Sequence, residues 1–356
     1  MKGKEARSSF LVPRPVGRTE ADLVARGYGK QLDLFRETLT PPAFVQVLAM
    51  LALSDPKQLD RGTIARVADI ARTMGYEPDK RANGKTAFPS WIYEIIEETG
   101  LRLRRKRFPL YIREPAGHRR DGRRKYREGM IELSILQEFG FYYEDEKGRP
   151  INLDEIPKED LVKYESAEGP PLYAIPMKDG KGRFIKNKDG SIRRRQANAV
   201  GWRWNSRFAE LTKNMETAWV FYLEAVEILR RYLHHPAAFN LMKLTLFWKG
   251  DALIEVGHEK LIAHLDILGK DRKQVNRTID AAFQAAYDEG IIDKPVQVRP
   301  AGYYKPTKKT RKERRKGMVY QWRRAGRWRG GRVLPMIQAD GQLEAYNEGK
   351  TEKPKE

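Results

Sequence analysis

The sequence predicts an α+β fold, mainly helical, made of two tandem units that each combine helices with a basic β-hairpin. Two observations support this prediction. Apolar residues recur at helical and then at strand spacing, in the same order, over about 40–138 and again over about 217–324. In both segments a run of Lys and Arg lies between the strand-like stretches. With 356 residues, 40% of them hydrophobic, the chain can form two cores.

The first unit is predicted to contain three helices and a hairpin. Its first helix begins at Thr40-Pro41-Pro42, since threonine caps helices and proline is tolerated in a first turn. The second and third helices span residues 63–74 and 89–99, and each is followed by a glycine. The strands span residues 108–112 and 130–136. The expected inward residues of the three helices are Phe44, Val47, Leu48, Leu51, Ala52, Ile64, Val67, Ala68, Ala71, Trp91, Ile92, Ile95 and Ile96.

The second unit repeats this order without repeating the residues. It is predicted to contain helices over 217–233, 237–248, 258–265 and 272–289, a strand starting at Ile291 and a strand over 318–322.

Helices, a short turn, a further helix and a hairpin are the order of a winged helix. The predicted organisation is therefore a flexible N-terminal arm (1–38), a winged-helix domain (39–139), a connector with a small β element (140–215), a second winged-helix domain (216–335) and a disordered tail (336–356). Within the connector, KDGKGRFIKNKDG is predicted as a hairpin with Asp-Gly turns.

The clearest motif is the helix–turn–helix pattern of residues 258–290. Leu261, Ile262 and Leu265 are expected to pack inward, Leu268 to fill the turn and Gly269 to take a positive φ. Asp271 is a candidate N-cap, and Val275, Ile279, Ala282, Phe283 and Ala286 form the expected buried stripe. Opposite this stripe lie residue types that bind base edges or phosphates, and they predict a DNA-recognition helix: Arg272, Lys273, Asn276 and Arg277. The alternative is a helical hairpin with an ordinary solvated face.

The third helix of the first unit has a different predicted surface. It is expected to expose Tyr93, Glu94, Glu97 and Glu98, and these acids are repelled by a groove lined with phosphates. Phosphate contacts from Lys80, Arg81 and Lys85, self-association into a homodimer, and a purely structural role remain the alternatives for this unit.

The two hairpins have strongly cationic tips, which are candidates for phosphate contacts. The predicted contact residues are Arg119, Arg120, Arg123, Arg124 and Lys125 in the first hairpin and Lys308, Lys309, Arg311, Lys312, Arg314 and Arg315 in the second. Near the second tip, Trp322 and Trp328 are expected to pack in the core rather than stack on bases.

The arm contains Gln31-Leu32-Asp33-Leu34-Phe35. Its Gln31, Leu32, Leu34 and Phe35 match the pentapeptide by which many bacterial replication and repair proteins dock on the sliding clamp, where apolar side chains fill pockets and the amide sets orientation. The alternative is the first turn of an amphipathic helix packed on the first unit.

Composition restricts the function further. The net charge of +21 indicates an anionic partner, and no stretch is apolar enough to cross a membrane. Cysteine is absent, so thiol chemistry and Cys-based zinc sites are excluded. No Walker motif, His-x-His pair or paired-acid site is evident. We therefore expect no catalytic residues, no metal site and no cofactor. With no export signal, the expected location is the cytoplasm, in association with the nucleoid or a plasmid.

The winged-helix order, the 258–290 motif and the QLDLF pentapeptide together resemble the iteron-binding plasmid replication initiators. The resemblance implies that the second unit recognises repeated origin sites in double-stranded DNA and that the first supports dimerisation and phosphate contacts. It also implies recruitment of the clamp and of host proteins such as an initiator or a helicase. The long connector at 140–215 departs from the family, and the placement of QLDLF before the first unit is not matched in it. A phage or plasmid transcription regulator and a basic RNA-binding protein are the alternatives.

Overall fold

A computed structural model describes residues 9–13, 39–80, 86–118, 124–145, 147–164, 171–186, 190, 192–213, 218–248, 253–269, 271–300 and 318–328. Over these residues the chain has the α+β fold that the sequence predicted. Its helices are α1 (Pro41–Leu53), α2 (Val67–Thr73), α3 (Ser90–Arg105), α4 (Ser206–Lys213), α5 (Leu223–Arg231), α6 (Pro236–Leu246), α7 (His258–His264) and α8 (Arg272–Asp288). Its strands are β1 (Ser9–Pro13), β2 (Thr63–Arg66), β3 (Asp79–Lys80), β4 (Thr86–Ala87), β5 (Phe108–His118), β6 (Arg124–Leu133), β7 (Leu136–Glu144), β8 (Pro150–Ile151), β9 (Val162–Tyr164), β10 (Leu172–Ala174), β11 (Ala199–Trp204), β12 (Ala218–Tyr222), β13 (Ile254–Gly257), β14 (Gln297–Pro300) and β15 (Met318–Trp322).

The arm is partly built into the body of the protein, which corrects the prediction that residues 1–38 are wholly flexible. β1 pairs antiparallel with β12, and Phe10 lies 6.0 Å from Phe221, measured between ring centroids. β12 occupies the first residues of the helix predicted over 217–233, and only α5 is helical there. The aromatic and β-branched residues of β12 favour an extended backbone, and both phenylalanines are buried.

In the first unit, the first helix begins where predicted and every residue of α1 from Ala43 to Leu53 is buried. The second predicted helix is wrong at its start, because residues 63–66 form β2 and only α2 is helical. Alternate residues of β2 are buried, which is the period of a strand. The third predicted helix is present as α3 and extends further, to Arg105.

The predicted hairpin of the first unit is present, but it stands apart from the main sheet. β5 and β6 pair from Phe108 opposite Leu133 to His118 opposite Arg124, as a separate two-stranded ribbon. The main sheet has the order β2-β11-β7-β8 and is antiparallel. The stretch 140–215, predicted as a connector with a small β element, supplies β11 and part of β7 to the main sheet, so it belongs to the first unit rather than only linking the two. Trp202 and Trp204 anchor β11 because both indoles are buried in the core.

The second unit follows its prediction more closely. After α6 come β13, α7, α8, β14 and β15, and the three strands form an antiparallel sheet in the order β13-β15-β14. α8 and β15 match their predicted ranges within one residue. Ile291 does not begin a strand; Ile292 forms an isolated bridge with Arg324, and β14 starts only at Gln297.

The two units are structural repeats, because in each of them a strand and the helix that follows it begin at the same spacing along the chain. β2 and α2 begin at Thr63 and Val67, and β13 and α7 begin at the corresponding Ile254 and His258. The central strand of each sheet pairs a tryptophan with the first of these strand residues: Trp202 faces Thr63, and Trp322 faces Ile254.

A shared hydrogen-bond motif supports this correspondence. The indole Nε1 of Trp202 donates to Ser54 Oγ (3.2 Å), and that hydroxyl donates to the Met50 carbonyl (2.7 Å). In the second unit, Trp322 Nε1 donates to Thr245 Oγ1 (2.9 Å), which donates to the Leu241 carbonyl (2.8 Å). The same polar groups are thus paired at equivalent positions in both cores.

A continuous hydrophobic core joins the two units. Phe44 of α1 lies edge-on to Phe239 of α6 at 6.0 Å and to Phe247 at 5.8 Å, both measured between ring centroids. α5 packs against both α1 and α6. The units are therefore held together by buried apolar contacts rather than only by the chain that links them.

Candidate nucleic-acid interface

The connection between α7 and α8 has the geometry that the sequence predicted. Gly269 has φ +81°, the left-handed conformation for which glycine was expected. The side chain of Asp271 accepts a hydrogen bond from the backbone N–H of Lys273 (2.8 Å), so Asp271 is the N-cap of α8. Asp266 also has a positive φ, of 57°, and this second bend was not predicted. Both bends lie in the seven residues, 265–271, that separate α7 from α8.

The predicted buried stripe of α8 is confirmed. Val275, Ile279, Ala282, Phe283 and Ala286 are all buried. Ring contacts join the stripe to β15, since Phe283 stacks on Tyr320 at 6.0 Å and meets Trp322 edge-on at 5.1 Å, measured between centroids. The opposite side of α8 therefore faces away from the core.

The predicted recognition residues lie on that outer side. Lys273 and Arg277 are exposed, and in the described part of the chain neither has an acidic partner. Asn276 is half-buried, and its Oδ1 accepts no hydrogen bond from the described residues. Arg272 is the first residue of α8, and its side chain lies outside the described part. The N-terminal turns of α8 thus present two exposed cations, Lys273 and Arg277, while the amide oxygen of Asn276 is buried.

One prediction about this region is wrong. Leu268 does not fill the turn, because 60% of its surface is exposed, and the neighbouring Ile267 is buried in its place. His258 and His264, the first and last residues of α7, are both buried. His258 Nδ1 lies 3.1 Å from the Tyr320 hydroxyl, so this imidazole is a core group paired within the fold.

Several predicted site residues cannot be placed by their side chains. Arg124 and Lys125 lie in β6, with only the backbone described. The other predicted contact residues lie outside the described residues: Gln31, Leu32, Leu34, Phe35, Arg119, Arg120, Arg123, Lys308, Lys309, Arg311, Lys312, Arg314 and Arg315. The two tryptophans near the second tip, Trp322 and Trp328, are buried, as expected.

In the first unit, α3 corresponds to α8 but presents a different outer side. Ile92 and Ile96 are buried at the spacing of Val275 and Ile279, so Tyr93 and Glu94 occupy the positions of Asn276 and Arg277. Glu94 and Glu98 are exposed, as predicted. Trp91, predicted to point inward, is 47% exposed and packs edge-on against Tyr76 at 5.6 Å between centroids.

Glu97 was predicted to be exposed, and this prediction is wrong. Only 1% of Glu97 is exposed, because residues of the long insertion between β10 and β11 cover it. Its carboxylate forms an ion pair with Arg194 (2.8 Å) and accepts a hydrogen bond from the Ala197 backbone N–H (2.8 Å). Burial raises the pKa of Glu97, and the nearby Arg194 partly opposes that rise. Helical spacing alone could not indicate a partner about 100 residues away.

The same insertion borders a polar cleft of about 1180 Å³ beside α3. The side-chain amide of Gln196 donates to the Ser90 carbonyl at the start of the helix (3.2 Å). Tyr93 and Glu94, at the positions of the candidate recognition residues of α8, line this cleft with Arg193 and Arg195. The insertion therefore lies beside the side of α3 that corresponds to the outer side of α8.

The described residues also bear on metal sites and on membrane-spanning helices. In that part of the chain, no three His, Cys, Asp or Glu side chains are grouped so that they could bind a metal ion. None of the described helices has the length and apolarity required to span a bilayer.

No protein-family model and no curated protein matches this sequence. Solved structures do match. The crystal structure of the Pi initiator protein in complex with iteron DNA is similar with a TM-score of 0.46 and 11% identity, over 90% of this chain and 99% of that chain. The structure of RctB domains 2–3 is similar with a TM-score of 0.40 and 11% identity, over 80% of this chain and 81% of that chain.

Proposed function

We propose that this chain is a non-catalytic replication initiator that binds repeated sites in double-stranded origin DNA through two winged-helix domains. The observation that supports this most directly is the outer side of α8. A capped helix, braced by Phe283 against β15, presents Lys273 and Arg277 at its N-terminal end, with the half-buried Asn276 between them. Arginine and asparagine form bidentate hydrogen bonds with guanine and adenine edges, and such contacts come from the first turns of a recognition helix.

The order of elements around α8 supports the winged-helix assignment. A helix, a strand, two helices and two further strands occur in that order, and the strands close an antiparallel sheet. In this assignment the chain between β14 and β15 is the wing, and the cations predicted there supply phosphate contacts. These contacts position the protein on DNA, while α8 selects the sequence.

The recognition role is tested by replacing Arg277 with Ala and measuring binding to DNA that flanks the gene. Loss of one bidentate base contact should weaken binding to the footprinted site by about 1–3 kcal/mol and relax the preference at one base pair. Binding to unrelated duplex DNA should fall much less, since that binding depends mainly on phosphate contacts.

The chain offers a matched control for this experiment. Glu94→Ala alters the corresponding position of α3, and it should leave the footprint and the base preference unchanged. Normal footprints from Arg277→Ala, Asn276→Ala and Lys273→Ala would refute the assignment of α8. Equal binding to structured RNA and to duplex DNA would favour a basic RNA-binding protein instead.

We also propose that residues Gln31 to Phe35 recruit the bacterial sliding clamp. Support comes from the sequence of the pentapeptide and from the body on either side of it: β1 ends at Pro13, and the buried Leu39 precedes α1. A segment attached at both ends can present a short extended peptide to a partner.

This recruitment is tested by a pull-down with purified clamp. Leu34→Ala combined with Phe35→Ala should abolish the pull-down while DNA affinity stays the same, because the apolar anchors are removed and the recognition helix is untouched. Asp33→Ala is the control, since that position is not one of the anchors. Retained clamp binding by the double variant would eliminate this part of the proposal.

A further inference from the structure

The described residues within 176–194, which we call the cyclic element, have an internal eight-residue repeat. Three backbone hydrogen bonds close a cycle: Met177 N–H donates to the Arg193 carbonyl (2.7 Å), Arg193 N–H to Ile185 (2.7 Å) and Ile185 N–H to Met177 (2.9 Å). The bridges repeat at the same spacing, with Lys178 opposite Phe184, Lys186 opposite Ile192 and Arg194 opposite Pro176. The element therefore has approximate threefold symmetry, although the sequence indicated only a hairpin.

The first turn of the element is held by its own aspartate. Asp179 Oδ1 accepts hydrogen bonds from the backbone N–H groups of Lys181 and Arg183 (both 2.9 Å), and Asp179 Oδ2 pairs with the Arg183 side chain. These hydrogen bonds lower the pKa of Asp179 below its ordinary value. Asp145 holds the turn ending at Arg149 in the same way, with Lys147 at the position of Lys181.

The element has an excess of positive charge on its surface. Residues 176–194 of the sequence include seven basic and two acidic side chains. Three of the cations are neutralised within the fold: Lys178 pairs with Asp160, Arg183 with Asp179 and Arg194 with Glu97. Three more, Lys181, Lys186 and Arg193, are exposed and have no acidic partner in the described part of the chain.

The element carries this charge beside α3. Arg194 and Gln196 attach it to α3, beside the side that corresponds to the recognition side of α8. α3 itself presents Glu94 and Glu98 there, which repel phosphates. The insertion thus adds a cationic surface to the unit whose own helix is acidic.

We propose that the cyclic element binds the phosphate backbone of duplex DNA through Lys181, Lys186 and Arg193. The proposal rests on the function proposed above and names a contact that the sequence did not indicate. Each cation that meets a phosphate releases counterions, so the element contributes affinity and salt dependence but no sequence preference. The cycle of hydrogen bonds fixes the backbone that carries these cations before DNA binds, which reduces the entropy cost of ordering the element on binding.

The experiment measures the affinity of the full chain for fluorescein-labelled random duplex DNA at several salt concentrations between about 50 and 200 mM. Lys181→Ala should reduce the slope of log affinity against log salt concentration by about 0.9, and the triple variant with Lys186→Ala and Arg193→Ala by about 2.7. Lys147→Ala is the matched control, since it removes a lysine from the same turn geometry outside the element. It should leave the slope unchanged.

A parallel titration with single-stranded oligo-dT separates the two sources of phosphate. Phe184 is 39% exposed with the Lys178 ammonium 5.2 Å from its ring centroid, and an exposed aromatic among cations can stack on unpaired bases. If the triple variant lowers the salt-dependence slope only with oligo-dT, or with neither DNA, the duplex proposal is overturned. If the triple variant keeps its slope while Arg277→Ala still loses site preference, this inference fails and the proposed function stands.

Discussion

The two units share one scaffold but differ in what covers their third helix. In the second unit, the outer side of α8 is open and presents Lys273 and Arg277. In the first, the corresponding side of α3 is acidic and lies beside the inserted chain, to which Glu97 is paired through Arg194. The tryptophan–hydroxyl hydrogen bond of the core is nevertheless the same in both units. Equivalent core contacts therefore support two helix surfaces of different charge.

The largest expected effect concerns the cover on α3. Glu97→Ala removes one partner of a buried ion pair and leaves Arg194 without its carboxylate, which should cost about 3–5 kcal/mol of unfolding free energy. Asp280→Ala, at the equivalent position of α8, should change stability by no more than about 0.5 kcal/mol because Asp280 is exposed. Urea denaturation followed by circular dichroism measures both variants.

A conservative variant extends this test. Glu97→Gln keeps an oxygen that can accept from the Ala197 N–H, so it should lose less stability than Glu97→Ala. If Glu97→Ala and Asp280→Ala had equal unfolding free energies, the contact between α3 and the insertion would contribute nothing to the difference between the units.

An intermediate effect is expected in the two cores. Ser54 Oγ accepts hydrogen bonds from both Trp202 and Trp204, whereas among the described residues Thr245 Oγ1 accepts one, from Trp322. Each buried N–H left unpaired costs about 1–3 kcal/mol. Ser54→Ala should therefore destabilise the protein about twice as much as Thr245→Val, as measured by the shift of the denaturation midpoint. A larger loss from Thr245→Val would contradict the correspondence of the two hydroxyl groups.

The smallest effect is expected at the bend after α2 and α7. Gly75 has φ +87°, and a Cβ there would lie 3.0 Å from Glu227 Cγ, so Gly75→Ala should cost about 1–2 kcal/mol. Asp266, at the equivalent bend, already has a positive φ, and Asp266→Gly should change stability by less than about 1 kcal/mol. Thermal unfolding distinguishes the two. A neutral Gly75→Ala would show that this bend is free to change.

The sequence predicted those parts of the fold that depend on near neighbours. The cap at Asp271, the bend at Gly269 and the buried stripe of α8 follow from local periodicity and backbone preference. The correct range of β15 follows from its short apolar pattern, bounded by charged segments. Most of the candidate recognition site lies within this local category.

The parts that were missed depend on distant partners. β11 belongs to the sheet of β2 and β7, but the long insertion separates it from them, so local pattern gave it no place. Glu97 has the spacing of an exposed residue and is buried only because Arg194 and Ala197 fold over it. β12 has an apolar period compatible with a helix, and pairing with β1 decides its conformation. Tertiary contacts thus overruled local preference in each case.

The pairing of β1 with β12 also determines how a mechanical load would pass through the molecule. A pull on residues 14–38 reaches the folded body at two points, at Pro13 through β1 and at Leu39 next to α1. The first point leads through β12 to the start of the second unit, and the second leads into the core of the first. A force applied to this segment by a bound partner would therefore act on both units at once.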